Sequence, residues 1–295
     1  MTPSSTALIE PAPAKINLFL HITGRRADGY HLLHSMVCFA DLGEQIRAEP
    51  AERDSLILQD APADLAAEPV EQNLVWRAML AFRQRFGEGQ RYTIRLTKRI
   101  PVGGGLGGGS ADAAAMLRIL ARERGIELDD PELLSLAAEL GADIPMCLHQ
   151  TPQLAAGIGD KLTALPNPLP PLWVLLANPG VHVSTPSVFS ALDLGACHKA
   201  VSLPQDEWPD AQTFADWLAG STQNDMTKAA CAIAPEVAAL LSRLRSTNAP
   251  LLTRMSGSGA SCFVLFADQA SARAAQSELL AQDPYLWSHV AKILS

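Results

Sequence analysis

No stretch of this sequence approaches the roughly 20 consecutive apolar residues that a membrane-spanning helix needs. A long run such as Leu172-Trp173-Val174-Leu175-Leu176-Ala177 stops far short of that. The first residues, Met1-Thr2-Pro3-Ser4-Ser5-Thr6-Ala7-Leu8-Ile9-Glu10, lack the basic start and apolar centre of an export signal. Cysteine is scarce and scattered: Cys38, Cys147, Cys197, Cys231 and Cys262 are odd in number and form no C-x-x-C pair. That excludes a disulfide framework or thiolate zinc site and suits buried thiols in a reducing compartment. A soluble cytoplasmic protein is expected, with no membrane partner. Positive charge is also in the minority, with 23 Lys and Arg against 31 Asp and Glu and a net charge of −8. A general nucleic-acid binder needs a basic face, so no nucleic-acid partner is expected, and any polyanion must be held by a local device. Apolar material is plentiful at 48% of 295 residues, enough for a true core and for two domains.

Residues 14 to 22 alternate in polarity and predict a half-buried strand. Ile16, Leu18, Leu20 and Ile22 point one way, while Lys15, Asn17, Phe19 and His21 point the other. Lys15 and Asn17 therefore share a face. The segment Thr23-Gly24-Arg25-Arg26-Ala27-Asp28-Gly29-Tyr30-His31 reads as a loop, and residues 92 to 96 read as a strand that Pro101 stops. Ala113, Met116, Leu117 and Leu120 predict a helix capped by Ser110 and closed by Gly125. Asp130-Pro131 opens another helix, which buries Leu133, Leu136, Ala137 and Leu140 and ends at Gly141. Residues 150 to 171 read as a loop-rich boundary, dividing the chain into domains 1–160 and 161–295. Beyond it, strands at 173–177, 262–266 and 290–294 accompany helices near 229–244 and 271–280, an α+β arrangement.

The densest local signal is Gly103-Gly104-Gly105-Leu106-Gly107-Gly108-Gly109, directly before a helix. So many glycines persist only where side chains would obstruct something, and a helix N-terminus offers converging N–H groups and a positive dipole end to phosphate oxygens. Gly103, Gly105 and Gly108 satisfy G-x-G-x-x-G, but no long buried strand ending in an acidic residue follows, as a dinucleotide site requires. Ser110 is followed by Ala111-Asp112 with no lysine before it, so this is no Walker loop. The H-R-D and D-F-G companions of a protein kinase are missing.

What remains is a fourth type. Pro101-Val102-Gly103-Gly104-Gly105-Leu106-Gly107-Gly108-Gly109-Ser110 closely resembles the P-x-G-x-G-L-G-S-S-type loop of the galactose, homoserine, mevalonate and phosphomevalonate (GHMP) kinases. Lys15-Ile16-Asn17-Leu18 and Arg254-Met255-Ser256-Gly257-Ser258-Gly259-Ala260 resemble two further signatures of that superfamily, in the same order. Pro13-Ala14-Lys15, Gly24-Arg25-Arg26-Ala27-Asp28-Gly29-Tyr30-His31 and Gly141-Ala142-Asp143-Ile144-Pro145 resemble its members that act on a CDP-linked branched sugar alcohol. So do Asn178-Pro179-Gly180-Val181, Thr185-Pro186 and Gln223-Asn224-Asp225. The resemblance runs from about Ala12 to Leu294. It implies the α+β GHMP kinase fold, with an N-terminal domain like the second domain of ribosomal protein S5 and a ferredoxin-like C-terminal domain. It also implies ATP-dependent phosphorylation of the 2-hydroxyl of that alcohol, in non-mevalonate isoprenoid synthesis. A relative acting on mevalonate, homoserine or a sugar stays open, as does a catalytically inactive nucleotide-binding relative. Gly29-Tyr30-His31 argues against the first, and the presence of both Lys15 and Asp143 argues against the second.

The resemblance also implies roles. Lys15 and Asp143 are the expected catalytic pair, Asp143 acting on the substrate hydroxyl. Pro101, Val102, Gly103, Gly104, Gly105, Leu106, Gly107, Gly108, Gly109, Ser110 and Ala111 are expected to bind ATP. Asn17, Tyr30, His31, Thr185 and Phe189 are expected to bind the second substrate, Tyr30 by stacking on cytosine and His31 by hydrogen bonding. Asp225, Gly257 and Ser258 are expected to shape the back of the phosphate site. Magnesium is expected with ATP, and no protein ligand for it is read beyond the Ser110 hydroxyl.

Overall fold

The computed structural model describes residues 7–192 and 197–295. The chain opens with three strands, β1 (Leu8–Arg25), β2 (His31–Ala51) and β3 (Ser55–Gln59). Helices α1 (Ala63–Ala66) and α2 (Leu74–Phe86) then lead to β4 (Arg91–Thr97). Three helices follow: α3 (Gly108–Arg124), α4 (Pro131–Leu140) and α5 (Ile144–His149). Strands β5 (Gln153–Gly157), β6 (Lys161–Ala164) and β7 (Trp173–Asn178) precede α6 (Thr185–Ser190), α7 (Ala211–Ser221), α8 (Thr227–Ile233) and α9 (Pro235–Arg245). The last elements are β8 (Leu252–Met255), β9 (Cys262–Phe266), α10 (Gln269–Gln282) and β10 (Trp287–Leu294). Contacts group these into two units that interleave along the chain. One comprises the chain to Ala14, Gly43–Ile100 and Gly107–Gln150; the other comprises Lys15–Leu42, Pro101–Leu106 and Thr151–Ser295.

In the first unit, β4 pairs parallel with β3 and antiparallel with residues 45–51 of β2, and buries Tyr92, Ile94 and Leu96 on alternate positions. Helix α3 is buried continuously from Ala111 to Ala121. Its alanines make that possible, because small side chains let α2 and α5 both approach it. The helix begins at Gly108, two residues before the expected Ser110 cap, because Gly107 takes the cap position with left-handed backbone (φ 68°). Gly125 closes it as expected, its N–H reaching the carbonyls of Ala121 and Arg122. Asp130 caps α4 by accepting from the N–H groups of Glu132 and Leu133, while Leu140 is half-buried rather than buried.

The second unit holds the antiparallel order β8-β9-β7-β10, with β10 joined to β2 at Ile293 and Leu294. Strand β2 also pairs with β5, which pairs with β6. The stretch read as loops between 150 and 171 thus contains a hairpin of two short strands. Leu20, Ile22, Leu175, Val237, Leu241, Val264, Phe266 and Leu279 belong to one core cluster here. The single helix expected near 229–244 is two, because Pro235 cannot continue α8 and instead starts α9 after an extended Ala234 (φ −133°). The half-buried reading of residues 14 to 22 is also corrected. Lys15, Asn17, Phe19 and His21 are all buried, the Phe19 ring lying against His21, His34 and Trp217. Cys38, Cys147 and Cys262 are buried thiols as expected, but Cys197 is exposed and Cys231 half-buried. No helix among the described residues is long and apolar enough to cross a membrane.

Candidate active site

In the second unit the first part of the glycine loop is fixed by its carbonyls. The Gly104 oxygen accepts from the Ser261 N–H at 3.0 Å, the Gly105 oxygen from Ser256 Oγ at 3.0 Å, and the Leu106 oxygen from the Lys15 N–H at 2.8 Å. The turn beneath is itself pinned, since Asn224 Nδ2 donates to the carbonyls of Met255 and Gly257, both at 2.8 Å. Asn178 Nδ2 holds Ser261 Oγ at 2.9 Å. The chain then enters the first unit at Gly107, where α3 starts without a side-chain cap. Its first N–H groups have no intrahelical acceptor, so that end of the helix is disposed to take an anion.

The glycines are not interchangeable. A Cβ on Gly105 (φ 77°) would lie 2.4 Å from the Ser256 carbonyl and 2.9 Å from that of Gly259, both backbone atoms. A Cβ on Gly109, inside α3, would find nothing nearer than Leu74 Cδ1 at 3.4 Å. Gly105→Ala is therefore expected to destabilise by about 2 kcal/mol or more through overpacking and left-handed strain. Gly109→Ala should be neutral or stabilising by up to about 1 kcal/mol from helix propensity. Thermal melts of both variants check this, and equal melting temperatures would contradict it.

Lys15 and Asn17 sit two apart on β1, 6% and 4% exposed. Asn17 is anchored by two hydrogen bonds. Its N–H donates to Ser256 Oγ at 3.2 Å, its Nδ2 donates to Ser35 Oγ at 2.8 Å, and its Oδ1 lies 3.3 Å from where a Gly257 Cβ would be. That Oδ1 is buried with no hydrogen-bond partner among the described residues. In the first unit, Asp143 stands at the start of α5 in right-handed backbone (φ −86°, ψ −9°), and its side chain does not cap the helix. Behind it α5 is buried from Ile144 to Leu148. Arg118 clamps its far end by donating to the Cys147 carbonyl at 2.7 Å while Glu10 holds the same guanidinium at 2.7 Å.

Tyr30, His31, Thr185 and Phe189 line one cavity of about 760 Å³ in the second unit, together with Arg25 and Ile158. The His31 and Phe189 rings stack at 4.9 Å and 24°, while Tyr30 stays 62% exposed. Burial, then the nearby Arg25 charge, hold His31 below the ordinary imidazole range, so the ring is neutral at neutral pH. Thr185 Oγ1 shares a 2.7 Å hydrogen bond with Ser258 Oγ.

Asp225, expected to shape the back of the phosphate site, and Arg254, which opens the third family-like motif, are both held by groups of the second unit. The Asp225 carboxylate accepts from the Ile22 N–H at 2.7 Å and from Gln223 Nε2, and pairs with His198 at 2.9 Å. The Arg254 guanidinium is occupied by the Leu18 and Leu218 carbonyls and by Thr222, and burial pushes its pKa down to about 10. One cluster went unread in the sequence. In the first unit, Lys98 Nζ lies 2.5 Å from Glu44 Oε2 and 2.9 Å from Asp112 Oδ2, all three side chains buried. Burial, then the adjoining Asp112 carboxylate, push Glu44 up to about 9. Burial opposes the Lys98 charge, yet the two carboxylates, Asp112 first, keep its pKa above the ordinary lysine value.

The GHMP kinase family matches this chain twice, by its N-terminal domain over residues 73–151 and by its C-terminal domain over residues 198–284. A 4-diphosphocytidyl-2-C-methyl-D-erythritol kinase of Cereibacter sphaeroides is 47% identical over 286 residues, covering 96% of this chain and 98% of the relative. A crystal structure of 4-(cytidine 5'-diphospho)-2C-methyl-D-erythritol kinase superposes with a TM-score of 0.77 at 32% identity, covering 98% of this chain and 100% of that one. A homoserine kinase structure from Cytophaga hutchinsonii, 20% identical with a TM-score of 0.68 over 100% of this chain and 96% of its own, shares the fold. The glycine loop, the two family domains and these full-length likenesses agree: the chain belongs to the GHMP kinases, within the 4-diphosphocytidyl-2-C-methyl-D-erythritol kinase family.

Proposed function

We propose that this chain transfers the γ-phosphoryl group of ATP to the 2-hydroxyl of 4-diphosphocytidyl-2-C-methyl-D-erythritol, in the non-mevalonate route to isoprenoid precursors. The new bond joins the substrate oxygen to phosphorus, the bond to the ADP oxygen breaks, and the hydroxyl proton passes to Asp143. Such a transfer needs positioning and charge neutralisation more than covalent chemistry. The loop from Pro101 to Ala111 holds the phosphates with backbone N–H groups and the start of α3. Lys15 supplies the cation that this lysine-free loop lacks. Asn17 Oδ1, a buried acceptor, takes a hydrogen bond from a second hydroxyl of the alcohol, since the proton of the 2-hydroxyl is directed to Asp143. Magnesium enters with ATP as part of the substrate. Among the described residues no three His, Cys, Asp or Glu form a metal cage.

The cavity lined by Tyr30, His31, Thr185 and Phe189 carries the choice of substrate. It offers an exposed aromatic face and a neutral imidazole edge, and a pyrimidine needs one of each. Mevalonate and homoserine have no ring to place there. ADP release measured side by side with the CDP-linked alcohol, mevalonate and homoserine tests the reading. Turnover is expected with the first alone, and turnover with either of the others but not the first overturns it.

Tyr30→Ala is expected to raise KM for the CDP-linked alcohol roughly 5–150-fold, the value of about 1–3 kcal/mol for a lost stacking platform. With 62% of Tyr30 already exposed, the melting temperature and the KM for ATP should barely move. Steady-state kinetics in each substrate decides. Equal losses for both substrates with a lowered melting point would make Tyr30 a packing residue.

A further inference from the structure

Asn17 has an amide with two different ends, and which end faces the substrate decides what it can recognise. Ser35, on β2, lies directly across from it. The Ser35 hydroxyl has one proton, and at 2.5 Å the Phe19 carbonyl takes it, since a carbonyl can only accept. Toward Asn17, Ser35 Oγ is left with lone pairs alone. The Asn17 atom that meets it at 2.8 Å must then be the donor, Nδ2. Reversing the amide would set its oxygen against an oxygen that has no proton to give. Ser35 is 1% and Asn17 4% exposed, so no water replaces the missing donor.

The opposite end of the amide is fixed in consequence. Oδ1 is held beside Gly257, buried and without a partner among the described residues. The backbone of the same residue is tied to the loop, since Asn17 N–H donates to Ser256 Oγ and that hydroxyl donates to the Gly105 carbonyl at 3.0 Å. Everything about Asn17 is thus determined by its surroundings except the orientation of its amide, and Ser35 determines that.

We infer that Ser35 is a positioning residue: by donating to Phe19 and accepting from Asn17 it locks Oδ1 as a pure acceptor toward a hydroxyl-bearing substrate. This rests on the assignment of Asn17 to the alcohol made above. Without Ser35 the amide turns between two orientations, one of which presents N–H groups where a non-reacting hydroxyl of the alcohol needs an acceptor. The alcohol then binds in mixed poses, and kcat falls more than KM for ATP changes.

A double-mutant cycle tests this, using the full chain with Ser35→Ala, Asn17→Ala and the pair, assayed with ATP and the CDP-linked alcohol well below each melting temperature. Ser35→Ala is expected to lower kcat/KM for the alcohol about tenfold, the scale of one misplaced hydrogen bond, with KM for ATP within about twofold. In the Asn17→Ala background the same change should cost under about twofold, because the group it acts through is gone. A loss of equal size in both backgrounds, or no loss in either, overturns the inference. Asn17→Ala retaining full activity overturns the role given to Asn17 instead, so the two failures are distinguishable. If Ser35→Ala does not fold, Ser35→Cys, which keeps the volume and weakens both hydrogen bonds, takes its place in the cycle with the same criteria.

Discussion

Asp143→Asn is expected to fold and melt like the parent chain, to bind ATP unchanged, and to lose about 10²–10⁴-fold in kcat, the range for a removed general base. The substitution preserves shape and size and keeps one carbonyl oxygen as an acceptor, so the turn that carries it is expected to hold. Asp143 is half-buried at the head of α5, and the helix behind it is held by its own buried residues, Ile144 to Leu148. Arg118 fixes the far end through the Cys147 carbonyl. None of these depends on a charge at position 143. A helix-capping role would have made the residue structural, but its side chain makes no such bond. What the amide cannot do is take a proton from the attacking hydroxyl. Steady-state kinetics with a matched thermal melt separates the possibilities. A variant that keeps more than a tenth of the parent kcat, or one that loses activity in step with its melting temperature, would make Asp143 a structural residue.

Much of the local structure around the candidate site was legible because its signals are local. The glycine run, the strand carrying Lys15 and Asn17, the Gly125 stop and the Asp130 cap each lie within a few residues of what they control; the structure has the strand, the stop and the cap where the pattern put them, and starts the helix inside the glycine run at Gly108. The Ser110 cap failed for a local reason of another kind: with Gly107 able to take left-handed backbone, the helix could begin earlier. Strands β5 and β6 escaped because five and four residues carry too little alternation to stand out beside so many prolines and glycines. The burial of Lys15, Asn17 and His21 escaped because what covers them is remote in sequence. Trp217 reaches Phe19, and Ser256 reaches Asn17 across 239 residues. Ser35 reads in the sequence as one more small residue after a loop. Its importance lies in the direction of a single proton, which only the Phe19 carbonyl across the strand pair decides.

The triad of Glu44, Lys98 and Asp112 was out of reach for the same reason, its members being separated by 54 and 14 residues, and it should be the costliest place in the first unit to alter. Two carboxyl groups and one ammonium are buried together, at 0%, 3% and 8% side-chain exposure for Glu44, Asp112 and Lys98. Each carboxyl gives one oxygen to Lys98 Nζ, and the remaining oxygens, Glu44 Oε1 and Asp112 Oδ1, have no partner among the described residues. A proton carried by Glu44 and shared with Asp112 satisfies both and leaves the triad neutral, which agrees with a Glu44 pKa pushed up to about 9 by burial and then by Asp112. Lys98→Met removes the only cation from this arrangement. It is expected to cost about 3–5 kcal/mol, as breaking a buried ion pair does by stranding a charge. In a chain of this size that lowers the melting temperature by about 10 °C. The start of α3 should loosen with it, since Glu44 Oε2 lies 3.4 Å from the position of a Cβ on Gly108. Glu44→Gln should behave oppositely, replacing a protonated acid with an amide of the same shape at little cost near pH 7. The sign of its pH dependence follows from the raised pKa. The folded chain keeps a proton that the unfolded one releases above about 4.5, so the contribution of Glu44 is whole below that pH and fades as pH climbs toward about 9. Relative to the parent chain, Glu44→Gln is therefore expected to gain stability as the pH is raised from 7 to 9. Denaturant melts at the two pH values decide it. A Lys98→Met variant that melts within a few degrees of the parent chain would mean that no charge is stranded by its loss, and a Glu44→Gln variant as damaged as Lys98→Met at both pH values would mean that Glu44 is ionised and the three groups share no proton.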